Sequence, residues 1–440
     1  MQVQRCAVMR GLRLLEDWQA VGRLGAFNPK EGAMKRGMMN LVFIVGAAML
    51  LAACSGSGDE GGGGGTPVAA TTLTGTFVDA PVAGLSYATS SGLSGTTSGQ
   101  VNNLGQFNYR PGDTVTFSYG QTVIGVIPGV PQVTPWTVFG LSTPDPANPR
   151  WVNLARLLQT FNNALPPVTL AIAALTPIDF NQADAAFTAD PNVAALLTTA
   201  SSPGPLVSTA AAITTLQSQF AILGSWFAQN QQGPGTNFVV FTAMADGTYV
   251  ISEDGSSDPT GIDGMERGTY TYDQATGAFT GIIQRDTNGA NGLEAIGNPV
   301  PPITMIVTGN TLTVNGVDIY TRVIDTAVPV NPLVGAWRFD NTDGVAGSLV
   351  VLTLFENGTF VLVTEEALPT SDGIERGTYV EGAGNNVTFT RSIDTSATAG
   401  LFDPAVPGLE ARNIVVNGDT MTLTEPGSPS FTGTRIRPPQ

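Results

Sequence analysis

Histidine is absent from all 440 residues, cysteine occurs only at Cys6 and Cys54, and lysine only at Lys30 and Lys35. Without histidine the chain lacks the commonest general base and metal ligand. Past residue 54 there is no thiolate nucleophile, no disulfide framework and no thiolate zinc site. A Walker-type phosphate loop needs a lysine, and none follows Lys35. A Gly-x-Ser-x-Gly nucleophile elbow is missing as well. Paired carboxylates for glycoside hydrolysis carry no information here, because so many acids guarantee that some pair has a suitable separation. No catalytic residue, metal or cofactor is therefore expected. Residues 1–53 hold 7 of the 19 basic residues and 3 of the 35 acidic ones, so from Cys54 onward 12 arginines face 32 acids, a net charge of -20. That balance offers no basic footprint for nucleic acid, and no electrostatic attraction to an anionic membrane surface.

Long hydrophobic runs are also scarce, and the one present is short. Met34-Lys35-Arg36 precedes an apolar stretch from Leu41 to Ala53 that ends in Leu51-Ala52-Ala53-Cys54. Thirteen residues of helix cover only about two thirds of a ~30 Å hydrocarbon core. A charged start, an apolar middle and small residues before the break are the three parts of a cleaved export signal. The box resembles the bacterial lipoprotein signal, which implies cleavage before Cys54 and a lipid on that cysteine. By the same resemblance, Ser55 rather than Asp after the cysteine implies the outer membrane. The expected organisation is upstream sequence from a mis-assigned start at 1–33, a signal peptide at 34–53, and a Gly/Ser-rich tether at 54–70.

Short β-prone runs punctuated by Gly, Pro and Asp follow, from Thr71 to Tyr119, and predict a small antiparallel β-sandwich domain at 71–149. Asp79-Ala80-Pro81-Val82-Ala83-Gly84-Leu85-Ser86-Tyr87 followed by Gly105-Gln106-Phe107-Asn108-Tyr109 resembles a β-sandwich module of bacterial surface lipoproteins. The period then changes. Trp151, Leu154, Leu157, Leu158 and Phe161 fall on one helical face, Asp190-Pro191 starts a second helix, and Ile213, Leu216 and Phe220 mark a third. A helical segment at 150–221 packed on the sandwich is expected, the Leu/Phe stripe facing a core rather than a partner.

The C-terminal half is an internal repeat. Leu223-Gly224-Ser225-Trp226 matches Val334-Gly335-Ala336-Trp337, Asp246-Gly247-Thr248-Tyr249 matches Asn357-Gly358-Thr359-Phe360, and Glu266-Arg267-Gly268-Thr269-Tyr270 matches Glu375-Arg376-Gly377-Thr378-Tyr379. Near the ends, Asp286-Thr287 answers to Asp394-Thr395 and Thr321-Arg322-Val323 to Thr434-Arg435-Ile436. The near-constant spacing makes each copy one domain, 222–326 and 332–440, rather than a short solenoid repeat. About eight β-prone runs per copy with Asp-Gly and Asn-Gly turns predict an up-and-down meander, which closure into a barrel would free of edges. The fold class read from sequence is mainly β and multidomain: a small β-sandwich with attached helices, then two antiparallel up-and-down β-barrel-like repeats. Gly-x-Trp on a first strand with Arg on the last is similar to the calycin signature of lipocalins, which implies that Arg322 packs on Trp226 and Arg435 on Trp337. Joined by the Pro-bearing linker Thr326 to Pro332, the copies are expected to unfold largely independently.

Glu266-Arg267 and Glu375-Arg376 are the charged pairs kept in both copies. Alternation along a strand sends one member of each pair inward and the other outward. They are candidate ligand-binding residues, set against a structural ion-pair reading that is the more common use of such networks. The run Asp286-Thr287-Asn288-Gly289-Ala290-Asn291-Gly292-Leu293-Glu294 superficially resembles a calcium loop, but the second copy breaks the pattern at Ser396-Ala397 and a hairpin turn is favoured. The acids Glu253, Asp254, Asp258 and Asp263 are read in the same way. The expected role is a lipid-anchored envelope protein of binding or adhesin-like type without catalysis, its partner a protein, a glycan or a small molecule. The alternative is capture of a small ligand inside the barrels, and the filling of their interiors discriminates the two.

Overall fold

A computed structural model describes residues 71–79, 82–100, 104–162, 177–199, 205–228, 238–254, 263–289, 292–298, 300–323, 331–340, 348–366, 372–396, 400, 409–424 and 430–439. The export signal, Cys54, the tether and Asp258 lie outside the described residues. The chain divides at Ala69/Ala70, and everything described belongs to the second unit.

That unit begins with two small sheets. One joins β1 (Leu73–Phe77), β4 (Gln106–Tyr109) and β7 (Gln132–Val133); the other joins β2 (Ser86–Thr89), β3 (Ser94–Thr96), β5 (Thr114–Tyr119) and β6 (Thr122–Pro128). Alternate residues of both sheets share one core, in which Phe117 meets Phe77 and Phe107 edge to face. Helix α1 (Pro149–Asn162) follows and is buried on nearly every side because two cores claim it. Leu154, Leu157, Leu158 and Phe161 enter the sandwich core with Phe187 of α2 (Asp184–Thr188) and Val193 and Leu196 of α3 (Pro191–Thr199), while Trp151, Val152 and Ala155 join Ala212, Leu216 and Phe220 of α4 (Thr209–Gln219) and its C-terminus. Ser208 caps α4 by accepting a hydrogen bond from the Ala211 amide.

Eight consecutive strands then close an antiparallel barrel: β8 (Gly224–Ala228), β9 (Phe238–Ala243), β10 (Thr248–Asp254), β11 (Gly264–Asp273), β12 (Ala278–Asp286), β13 (Ile303–Thr308), β14 (Thr311–Val314) and β15 (Asp318–Arg322). The second barrel repeats this order with β16 (Gly335–Asp340), β17 (Leu349–Leu354), β18 (Thr359–Glu365), β19 (Gly373–Glu381), β20 (Asn386–Asp394), β21 (Leu409–Asn417), β22 (Thr420–Thr424) and β23 (Phe431–Arg435). Even the irregularity is repeated. The register shifts at Arg267/Gly268 in one copy and at Arg376/Gly377 in the other. A Cβ on Gly268 would lie 2.1 Å from the Ile282 carbonyl oxygen, and one on Gly377 would lie 1.9 Å from that of Thr390, so only glycine fits beside the bulge.

The barrels do not sit as independent beads. Apolar clusters containing Val250 and Val351, and Val240 and Val361, draw side chains from both copies, and α4 and Trp136 pack on the base of the first barrel. The independence expected from the linker gives way to a buried, shared interface, which the Pro-bearing segment between the copies did not reveal.

Candidate functional site

Each barrel is closed at its base by the segment that leads into it. Trp226 and Arg322 are cross-strand neighbours on β8 and β15, as are Trp337 and Arg435 on β16 and β23. The guanidinium carbon of Arg322 lies 3.9 Å from the Trp226 ring centroid, and that of Arg435 lies 4.0 Å from the Trp337 ring. Both lie within cation–π range. The arrangement holds more than a stacked pair. Arg322 donates to the carbonyls of Leu223 and Ala221, and Arg435 donates to those of Val334 and Pro332 at 2.7 Å each. The Trp226 indole donates to Ile222 at 2.8 Å and the Trp337 indole to Leu333 at 2.9 Å. One planar fork and one indole thereby satisfy carbonyls that the barrel base would otherwise bury unpaired.

Among the described residues, large side chains pack into both barrel interiors. In the first, Tyr270 stacks on Phe279 at 5.6 Å, and Tyr249 and Phe241 meet the same ring edge-on at 5.9 and 5.7 Å. In the second, Phe360 and Tyr379 surround Phe389 at 5.1 and 6.2 Å. The matched tyrosines also tie strands together: Tyr270 donates to the Met244 carbonyl and Tyr379 to that of Phe355.

Glu266 and Glu375 point inward and are fully buried. Glu266 accepts from the Tyr249 hydroxyl at 2.6 Å and from the Leu293 and Glu294 amides, so it anchors the loop after β12 across the barrel mouth. Burial pushes its pKa up to about 7, against the pull of those hydrogen bonds. Glu253, also buried and raised by desolvation, holds the same loop through Gly292 and Asn288. In the second copy Gly400 comes down on Glu375, as Gly292 does on Glu266, both with left-handed backbone (φ +99° and +82°). Asn288 and Ser396 occupy equivalent, fully buried places in these loops. The calcium-like run is thus a strap in which the Asp286 carboxylate accepts from the Asn288, Gly289 and Ile296 amides. Among the described residues no group of three or more acidic, His or Cys side chains is arranged to hold a metal.

Arg267 and Arg376 take the outward face but meet the neighbouring barrel rather than solvent. Arg267 pairs with Glu365 and Arg376 pairs with Asp254. The sequence reading took Asp254 only as part of an acidic turn and passed over Glu365, although each ends the strand before its copy's Glu-Arg motif. The two members of each candidate pair are therefore not brought together in one pocket. Among the described residues, surface clefts lie elsewhere. One of about 300 Å³ lies beside Pro332 and Leu333 at the foot of the second barrel. Another, of about 260 Å³, lies where Pro128 and Thr137 meet Asp246 and Arg338.

No protein-family model matches the sequence, and no curated protein matches it. Among solved structures, a partial likeness is found to the crystal structure of Helicobacter pylori beta clamp in complex with carprofen, at 10% identity over 51% of this chain and 61% of that one, with a TM-score of 0.10. The chain thus spans less than two thirds of that structure, and a superposition of that quality carries no argument.

Proposed function

We propose that the chain is a lipid-anchored protein of the bacterial outer membrane whose barrels serve as rigid binding or display modules, without catalysis. The observation that carries this reading is the filling of both interiors by aromatic and aliphatic side chains. Eight strands enclose a space that such side chains can fill, and a capture protein needs it left open. The Glu-Arg pairs add support, because the glutamates hold straps and the arginines hold the other barrel. Recognition then falls to the outer surface, with a protein or glycan as partner, and the lipocalin-like resemblance describes architecture rather than cargo. The anchor at Cys54 rests on the sequence pattern alone. Two measurements test the proposal. Cys54→Ala should abolish incorporation of labelled palmitate and shift the protein to the soluble fraction. Mass spectrometry of the natively purified protein should find no stoichiometric small molecule in an organic extract. A co-purifying lipophile at one equivalent per chain would favour capture and reverse the assignment.

A further inference from the structure

The contact between the barrels is self-complementary. Strand β8 faces its equivalent β16, β10 faces β18, and β11 faces β19. The two apolar clusters between them are exchanged by swapping the copies: Met244, Val250, Leu349 and Val351 in one become Phe355, Val361, Phe238 and Val240 in the other. The flanking Ile436 and Val323 exchange in the same way, and Met265 and Ile374, themselves equivalents, share one cluster. Two of the ion pairs obey the same operation, because Arg267–Glu365 maps onto Arg376–Asp254. Residue i meeting j while j meets i is the mark of a two-fold, isologous interface between like subunits.

The symmetry is broken in several places: Arg285 reaches Glu365 and Asp372 where the second copy has Ile393, and Arg376 lies over the Phe238 ring where the equivalents are Arg267 and Leu349. The break that bears on pairing lies at one end of the face. Arg338 pairs with Asp246 at 2.5 Å, but their equivalents are Phe227 and Asn357. At the mirrored end Phe227 instead packs edge-on against Phe355 at 5.5 Å. Two first barrels placed face to face would set Phe227 against Asp246, and two second barrels would set Arg338 against Phe355 and Asn357. Either like pairing loses the ion pair and the ring contact together, while keeping every shared feature of the interface. This is discrimination by a mismatch against the wrong partner.

We infer that this face is a self-recognition surface that works without the covalent link: the first barrel takes the second barrel of its own chain or of another copy, and Arg338–Asp246 with Phe227–Phe355 set the rule of unlike pairing. The test uses the full chain with a protease site inserted after Ala327. Before cleavage it should elute like the wild type. After cleavage the halves should stay together at micromolar concentration in ~0.15 M salt, the ionic strength at which exposed charges are largely screened beyond about 8 Å. When two cleaved preparations carrying different C-terminal tags are mixed, the second barrels should exchange between first barrels, and pairs holding both tags should be at least about tenfold rarer, the ratio expected when an interfacial ion pair is lost. Asp246→Asn with Arg338→Phe should raise the doubly tagged fraction. Halves that separate on cleavage would overturn the recognition surface. Doubly tagged pairs at parity, or unchanged by the two substitutions, would overturn the pairing rule.

Discussion

Replacing Arg322 with alanine removes three interactions at once from the base of the first barrel. The cation–π contact to Trp226 at 3.9 Å is desolvated, which places it near 2 kcal/mol. Two hydrogen bonds from a charged donor are worth about 1.5–3 kcal/mol each, and their loss leaves the Leu223 and Ala221 carbonyls unpaired at a buried site. Against this, a buried cation no longer has to be desolvated, which returns several kcal/mol. The balance is a destabilisation of about 3–5 kcal/mol, large among single substitutions. Urea unfolding followed by circular dichroism and tryptophan fluorescence measures it. Arg322→Lys keeps the charge but cannot fork to two carbonyls, so it should recover less than half of the loss. Arg435→Ala should cost the same within about 1 kcal/mol, because its ring distance and fork repeat those of Arg322. Because the barrels share their interface, a single transition with the slope of the whole barrel pair is expected. A loss below about 1 kcal/mol, or a lysine as good as arginine, would refute the reasoning from the fork.

Stability should also fall as pH rises. Glu266 is held near pKa 7 against 4.5 for the free side chain, so the folded form binds its proton more tightly. That contribution is complete below pH 4.5 and is lost as pH passes through about 7, a swing on the order of 3 kcal/mol. Asp79, buried beside Gln159 and raised to about 8 by desolvation, acts with the same sign. The denaturation midpoint at pH 5 should exceed that at pH 8, and Glu266→Gln should flatten the slope; equal slopes would remove Glu266 from the explanation. Gly400→Ala should destabilise by about 2–4 kcal/mol, since the new Cβ would lie 2.4 Å from the Glu375 carboxylate in a left-handed backbone. Gly92→Ala, with similar φ but nothing within 4 Å, should cost only about 1 kcal/mol of backbone strain, and a melting comparison in which the two agree would deny the contact.

Much of the fold was legible because the chain states it twice. The Trp–Arg spacing, the Gly-Thr turn after Asp246 or Asn357 and the Glu-Arg-Gly-Thr-Tyr strand each recur, and recurrence separates a constraint from an accident of composition. What stayed hidden has physical reasons. Period-2 alternation says that Glu266 and Arg267 part company but not which one enters the barrel; the desolvation of that side and the strap's amide groups decide it. The pairing roles of Asp254 and Glu365 escaped notice because each serves the other copy, and no pattern within one repeat marks a partner in the next. The straps were read as hairpin turns because Asn288 and Ser396, which differ in chemistry, hide that they occupy the same buried place.

Recurrence also limits what the matched residues can mean. A position kept in both copies because only glycine clears a bulge, or only arginine forks to two carbonyls, is accounted for by the barrel itself and leaves nothing over for a ligand. The conspicuous motifs of this chain are therefore the wrong place to look for specificity. Arg338 and Phe227 stand at equivalent positions with opposite chemistry, and each has found a different neighbour, Asp246 or Phe355. Two copies that began alike can acquire distinct partners only where they diverge. The outer-facing positions at which the barrels differ are thus the ones to substitute first when a binding partner is sought.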